Sequence, residues 1–275
     1  GDGLVQQMSN MPGLFAAGEV DFQYHGANRL GANSLLSCIF GGFLAGENMV
    51  EWAKSHSGEA DASVYSSELA RQQALNDRVA AMNSGSENAF QIHRELGDAM
   101  TRRCTVVREN DGLRELLAKL DELEERYPRI NINDESKSLN QSFTFTRALW
   151  DMIQLAKAVA KGALLRDECR GAHYKPAFEI PKPEKDKIGN ATDVPAYQEY
   201  VAELASRNKA RYNVAAKNGA TPTPEYEQYI AKWIENDRRW NKTTIAAYKE
   251  GEKEPEITYR DVVTSVEPPR PRIYK

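Results

Sequence analysis

Leucines at 113, 116, 117, 120 and 123 constrain this chain more than any other feature. They recur at i, i+3, i+4, i+7 and i+10, a period that lays side chains along one face of an α-helix and does not fit a strand. Pro128 cannot continue that helix and disfavours the helical region for the residue before it, so the predicted helix runs over 112–127. A single apolar face needs cover, and the flanking sequence supplies it. Residues 88–107 carry Phe90, Ile92, Leu96, Met100 and Val106. A longer helix over about 138–166 carries Phe145, Leu149, Met152, Ala156, Val159 and Ala163 on one side. Joined by short links, these read as three antiparallel helices, and their stripes read as core.

The segments on either side are also mostly helical. Residues 34–54 form a helix whose first half is apolar all round (Leu35, Leu36, Ile39, Phe40, Phe43, Leu44) and is therefore expected to be buried. Gly41, Gly42 and Gly46 would let a sheet approach its backbone. A charged connecting helix is predicted over 60–81, broken by SGSEN at 84–88. After Gly171, residues 179–192 are rich in Pro and Lys and read as a linker. Two amphipathic helices follow, at 194–217 and 224–239, on either side of TPTP. Alternating runs at 243–248 and 256–263 predict a β-hairpin across Gly251, before a Pro-rich extended tail. The fold class is mainly α, divided at 1–58, 59–178 (connecting helix plus three-helix bundle) and 179–275 (helical pair, hairpin and tail).

Net charge is −4, too small for a strong nucleic-acid field, so no nucleic-acid partner is expected. No apolar run approaches the ~20 residues that span a bilayer. The residues 35–45 are the longest candidate and contain two glycines. No basic-then-apolar leader opens the sequence. The cysteines (38, 104, 169) are far apart with no CxxC, so no metal site is expected and a reducing compartment fits.

The chemistry gathers at 11–36, MPGLFAAGEVDFQYHGANRLGANSLL. The apolar run 14–17 reads as a buried strand ending in Gly18 and Glu19. In open α/β folds ligands sit beyond the carboxyl ends of strands, where a carboxylate can accept hydrogen bonds from sugar-like hydroxyls. A polar loop follows with His25, Gly26, Asn28 and Arg29; Asn33 holds that loop or caps the next helix, which begins at Ser34 and Leu35. A helix start offers free N–H groups and partial positive charge to an anionic ligand.

AAGE followed by HGANRLGANSLL resembles the C-terminal flavin-binding segment of the succinate dehydrogenase and fumarate reductase flavoprotein family, most of all its Bacillus-like succinate dehydrogenase branch; L-aspartate oxidases are similar across the same residues. ENAFQIHRELGDAMTRRCTVVREN at 87–110 and LRDECRGAHYKPAF at 165–178 resemble the family's helical domain. RRWNKTTIAAY at 238–248 and the closing VEPPRPRIYK resemble its C-terminal part, which leaves about 184–237 outside the likeness.

The resemblance implies that residues 1–58 are the C-terminal edge of an FAD-binding α/β domain. It implies cofactor contacts at Gly18, Glu19, Asn33, Ser34 and Leu35, with Glu19 on the sugar-like chain and the helix start at the flavin pyrimidine edge. It implies substrate contacts at Arg29, which would grip a dicarboxylate, and at His25. Arg170 and His173 would tie the helical domain to the flavin domain. The implied activity is oxidation of succinate to fumarate with FAD. Electrons would pass to an iron–sulfur subunit and, through a membrane anchor subunit, to quinone, at the cytoplasmic side of a bacterial inner membrane. No catalytic residue is expected within these residues. The family's flavin-attachment histidine and proton-shuttling arginine are expected upstream, because no GxGxxG phosphate turn occurs here and the sequence reads as a C-terminal piece, inactive by itself. L-aspartate oxidase, a soluble fumarate reductase and a non-catalytic helical interaction module are the competing readings.

Overall fold

The computed structural model describes residues 5–21, 25–29, 31–56, 58–59, 61–136, 138–214, 221–249 and 251–272. Among these, the helices are α1 (Asn33–Ser55), α2 (Ala62–Ala80), α3 (Ala89–Cys104), α4 (Asn110–Arg126), α5 (Gln141–Leu165), α6 (Pro195–Asn208) and α7 (Pro224–Trp240). The strands β1 (Lys242–Ala247) and β2 (Glu256–Asp261) pair antiparallel, with Ile245 opposite Thr258. The chain is mainly α, as expected. It forms two compact units. One comprises Gly1–Ser84, Ile132–Phe143 and Arg170–Ala172; the other comprises Gly85–Asn131, Thr144–Cys169 and His173–Lys275. Among the described residues, no helix is long and apolar enough to cross a membrane.

In the second unit, α3, α4 and α5 are antiparallel neighbours, as their cross-links show. Arg103 pairs with Glu115 near one end of the α3–α4 contact, Lys119 with Glu95 in the middle, and Arg126 with Glu87 at the other end. Between α4 and α5, the Tyr127 hydroxyl donates to the Thr146 carbonyl, Lys157 pairs with Asp121 and Glu124, and Asn110 donates to Asp167. Leu113, Leu116, Leu120 and Leu123 are fully buried with Ile92, Leu149 and Ile153. The buried face of α5 is rotated from the predicted one. It runs through Leu149, Ile153, Ala156, Ala160 and Ala163, while Val159 is exposed. Small alanines let the helices approach closely, so the tighter face wins over the bulkier one.

Caps fix the ends. Asn88 Oδ1 accepts from the N–H groups of Phe90 and Gln91 at the start of α3, and Asn140 Oδ1 accepts from Phe143 at the start of α5. Pro128 lies in a 3-10 turn, Tyr127–Arg129, that closes α4 as predicted. Beyond α5, α6 and α7 enclose a core rich in tyrosine: Tyr197, Tyr200, Tyr226 and Tyr229 with Val201, Leu204, Ile230 and Ile234. Their buried hydroxyls need partners. Tyr197 donates to the Pro269 carbonyl at 2.9 Å and Tyr200 to Asp237. The predicted helix 194–217 stops at Asn208, because Lys209 takes a left-handed backbone; its last predicted residues, 215–217, lie outside the described ones. Arg166 joins α5 to this region, donating to the Trp240 carbonyl, to the Lys242 carbonyl at 2.9 Å and to the fully buried Glu168.

In the first unit, two expectations fail. Residues 14–17 are not a buried strand. Their main-chain partner is the segment before them, with Ser9 N–H on Leu14 O, Ala16 N–H on Gln7 O and a single Met8–Phe15 bridge. Two or three hydrogen bonds to one short neighbour make a bend rather than a ladder, and Leu14 stays exposed. The first half of α1 is not buried all round either. Its buried face is the small-residue line Ser37, Gly41 and Ala45, while Leu35 is 73% exposed and Phe43 72%. At Gly41 a side chain would meet Gln7 Nε2 at 3.0 Å and the Ala17 Cβ at 3.4 Å, so close approach is real there; Gly42 and Gly46 face open space. The neighbour at Gly41 is the N-terminal segment and not a sheet.

Candidate functional site

The predicted site residues lie in the first unit, around the start of α1. Ala32 precedes the helix with φ +64°, a left-handed conformation that a Cβ makes costly, and no side chain caps the helix. Asn33 is therefore the first helical residue and not its cap, which corrects the capping expectation. The opening N–H groups at Asn33, Ser34 and Leu35 have no intrahelical acceptor, and Asn33 and Ser34 are half-buried. Positive partial charge from the helix dipole is thus left uncompensated at this end.

His25 is drawn onto the same helix. The Ser37 hydroxyl lies 2.8 Å from the Ser34 carbonyl, to which it donates, and 3.0 Å from His25 Nε2. The contact with Ser37 gives His25 a loop-pinning role. Ser37 was not anticipated from sequence, because nothing local marks a serine as the partner of a histidine twelve positions back. Gly18 belongs to the group for a steric reason. Its φ is +80°, a conformation that strains any side chain, and a Cβ there would stand 2.8 Å from Cys38 Sγ on α1, so the position favours glycine. The 3-10 turn Gly18–Val20 that follows leaves the Glu19 carboxylate exposed. Behind it, Gln7 Nε2 donates to Asp21 Oδ2 at 2.6 Å and to the Ala16 carbonyl at 3.1 Å, which ties the turn to the N-terminal segment. Arg29, also exposed, lies in the loop immediately before α1. Neither Glu19 nor Arg29 forms an ion pair among the described residues.

The structure therefore brings Gly18 and His25 against α1, whose first residues are Asn33, Ser34 and Leu35, and leaves Glu19 in the adjoining turn and Arg29 in the preceding loop exposed. His173 has a role different from the expected one. It lies in the second unit, where Arg108 Nη1 donates to its Nδ1 at 2.6 Å and its Nε2 donates to the Arg166 carbonyl at 2.7 Å. Burial pushes its pKa below the ordinary histidine value, with the Arg108 cation acting in the same sense. A neutral histidine clamped at both nitrogens is a strut within that unit.

A flavin requires donors for its pyrimidine edge, an apolar surface for its ring, an acceptor for its sugar hydroxyls and a cradle for its pyrophosphate. The first three are present on these residues as the bare N–H groups of α1, exposed Leu35 and Leu36, and Glu19. The glycine-rich phosphate turn does not occur in the sequence.

Comparisons with known proteins agree with that partial fit. A model described as the C-terminal part of the fumarate reductase flavoprotein matches residues 93–274, and an FAD-binding domain model matches residues 2–35. The chain is 37% identical over 271 residues to the succinate dehydrogenase flavoprotein subunit of Bacillus subtilis, covering 98% of this chain and 37% of that protein. It is 36% identical over 168 residues to the fumarate reductase flavoprotein subunit of Escherichia coli, covering 61% of this chain and 28% of that protein. A solved structure of E. coli quinol fumarate reductase superposes with a TM-score of 0.69 and 27% identity over 98% of this chain and 37% of that one. The Mycobacterium smegmatis Sdh1 complex superposes with a TM-score of 0.53 and 29% identity, over 60% and 27% respectively. The chain thus spans between about a quarter and little more than a third of its relatives' length. The match over 93–274 runs through the α6–α7 pair, so that pair lies within the family's span, contrary to the expectation that 184–237 falls outside it.

Proposed function

The chain belongs to the succinate dehydrogenase and fumarate reductase flavoprotein family, and from that premise we propose that it forms the helix-side wall of an FAD site where succinate is oxidised to fumarate. FAD, when bound, supplies the hydride acceptor. The observation that carries this reading is the start of α1, where no side chain caps the helix, with an exposed Glu19 and an exposed Arg29 that form no ion pair among the described residues.

Each residue then has a task. The N–H groups of Ser34 and Leu35 would hold the flavin at its pyrimidine edge. Because the helix end is already oriented, it would favour negative charge at that edge without any rearrangement of solvent. Glu19 accepts hydrogen bonds from the sugar-like chain, and Gly18 seats that turn against Cys38. Asn33 holds the first turn of α1. Arg29 takes one carboxylate of the substrate, a task suited to a planar guanidinium that can donate two parallel hydrogen bonds. His25 holds the Arg29 loop against Ser37 and borders the dicarboxylate.

The exposed apolar face of α1 receives the remainder of the FAD-binding α/β domain, and residues 1–58, 59–178 and 179–275 serve as domain edge, helical domain and extension. Electrons leave to an iron–sulfur subunit and then, through a membrane anchor, to quinone, with the flavoprotein peripheral on the cytoplasmic face of the inner membrane. Similarity over 98% of the chain to a succinate dehydrogenase flavoprotein subunit supports the oxidative direction in this reading.

Flavin content tests the cofactor half of this reading. In the complete flavoprotein, Glu19→Ala should purify with clearly less FAD than the parent while the apparent succinate affinity of the flavin-loaded fraction is unchanged. Full flavin occupancy would remove Glu19 from the site.

A further inference from the structure

The turn Arg170–Ala172 is distant in sequence from the start of α1 but belongs to the same compact unit. Gly171 in that turn has φ +59°, in the left-handed region. A Cβ placed on it would stand 2.5 Å from the Ala27 carbonyl oxygen, 2.6 Å from its carbon and 2.9 Å from its Cβ. Two of these three obstacles are backbone atoms, which have no rotamer to escape into. Ordinary contact begins at 3.4 Å, so any side chain at 171 would have to push the Ala27 peptide aside by about 1 Å. Ala27 lies two residues before Arg29, between His25, which is pinned to Ser37, and the first turn of α1. Movement at Ala27 therefore passes directly to Arg29.

We propose that Gly171 is a positioning residue for dicarboxylate capture: by having no side chain it lets the Ala27 backbone rest against the 170–172 turn, and this contact sets the position of Arg29. The inference rests on the assignment of Arg29 to the substrate carboxylate. It gives the RGAH segment a function at the site that its distance in sequence conceals.

The test is made in the complete, flavin-loaded protein with malonate, a dicarboxylate that has no CH2–CH2 bond to desaturate, and binding is read by calorimetry without turnover. Gly171→Ala adds both the clash and the left-handed strain. Gly171→Asn keeps the clash but relieves most of the strain, because asparagine tolerates that region. Gly251→Ala imposes the strain alone, at φ +83° with nothing within 4 Å of the new Cβ. Both Gly171 variants should bind malonate roughly ten- to a hundredfold more weakly, the scale of a 1 Å misplacement, with parental flavin content. Gly251→Ala should bind it like the parent. Parental malonate affinity in Gly171→Asn, where Arg29→Ala has lost binding, overturns the inference alone. Loss of flavin from both Gly171 variants also overturns it, since Gly171 would then be a folding residue. Unchanged malonate binding in Arg29→Ala instead defeats the Arg29 assignment itself.

Discussion

Arg126 is the tie between α3 and α4, and replacing it with methionine isolates its charge while keeping the apolar stem. In the native fold its guanidinium donates to both oxygens of Glu87, at 3.1 and 2.9 Å, and to both oxygens of Glu95, at 2.7 and 3.0 Å. Its side chain is 15% exposed, Glu87 19% and Glu95 37%. Hydrogen bonding to Arg126 first, and to Lys119 second, holds the Glu95 carboxyl down at about 2 from an ordinary 4.5. A fully shielded group shifted that far would account for about 3 kcal/mol. Glu95 is more than a third exposed, so solvent screening reduces its share to about 1 kcal/mol, and Lys119 still serves it in the variant. Glu87 is better shielded and keeps only the long 3.8 Å contact to Arg129, so leaving it without Arg126 costs about 1–2 kcal/mol. The expected loss is about 2–3 kcal/mol, or roughly 5–10 °C in the melting temperature for a chain of this size. The sign with pH follows from the depressed carboxyls. Their contribution is complete above 4.5 and is lost as pH falls through 4.5 towards 2. The gap between parent and Arg126→Met should therefore be full at pH 7 and narrow on acidification. Thermal melts of the two proteins at pH 7 and at steps below pH 5 measure it. A variant melting with the parent at pH 7, or a gap that stays constant into acid, would refute the reasoning.

Two further outcomes follow from the same contacts. His173 is held neutral by burial, with its pKa below the ordinary 6.5, so its contribution is present above 6.5 and is lost as pH falls through that value. Urea midpoints should drop as pH falls from 7 to 5.5, and His173→Gln should flatten that part of the profile; an unchanged slope would show that another group titrates there. The exposed Leu35, Leu36, Ile39, Phe40 and Phe43 on α1 form a contiguous apolar surface on the 275-residue chain. That chain by itself should self-associate in sedimentation, and Ile39→Ser with Phe43→Ser should raise the monomer fraction; a parent that is already monomeric at high concentration contradicts this.

Helices were legible in the sequence wherever periodicity and punctuation agreed. The leucines of α4, the Pro128 stop and the β1–β2 hairpin across Gly251 all express rules that act within a dozen residues. What could not be read was which face of a helix finds a partner. On α5, Ile153 and Ala160 are buried where Met152 and Val159 were expected, because a 100° step separates adjacent residues and only the neighbouring helices decide between them. On α1 the large apolar residues suggested burial, yet the small line Ser37, Gly41 and Ala45 makes the contacts. The same division holds at the site. Local pattern singles out Gly18 and Glu19 as candidates, whereas the Ser37 partner of His25 and the fit of Gly171 against Ala27 join residues that no local spacing links.

Arg29 is the residue on which dicarboxylate binding beside α1 most directly depends. In the complete flavoprotein, Arg29→Lys keeps the positive charge but cannot reproduce a two-pronged grip on a carboxylate. Losing that contact at a site closed around substrate costs ~3 kcal/mol, about a hundredfold in turnover. Measured together, flavin stoichiometry and succinate-dependent dye reduction should show parental FAD content and turnover lower by about that factor. Parental turnover with parental flavin would contradict the placement of a dicarboxylate beside α1.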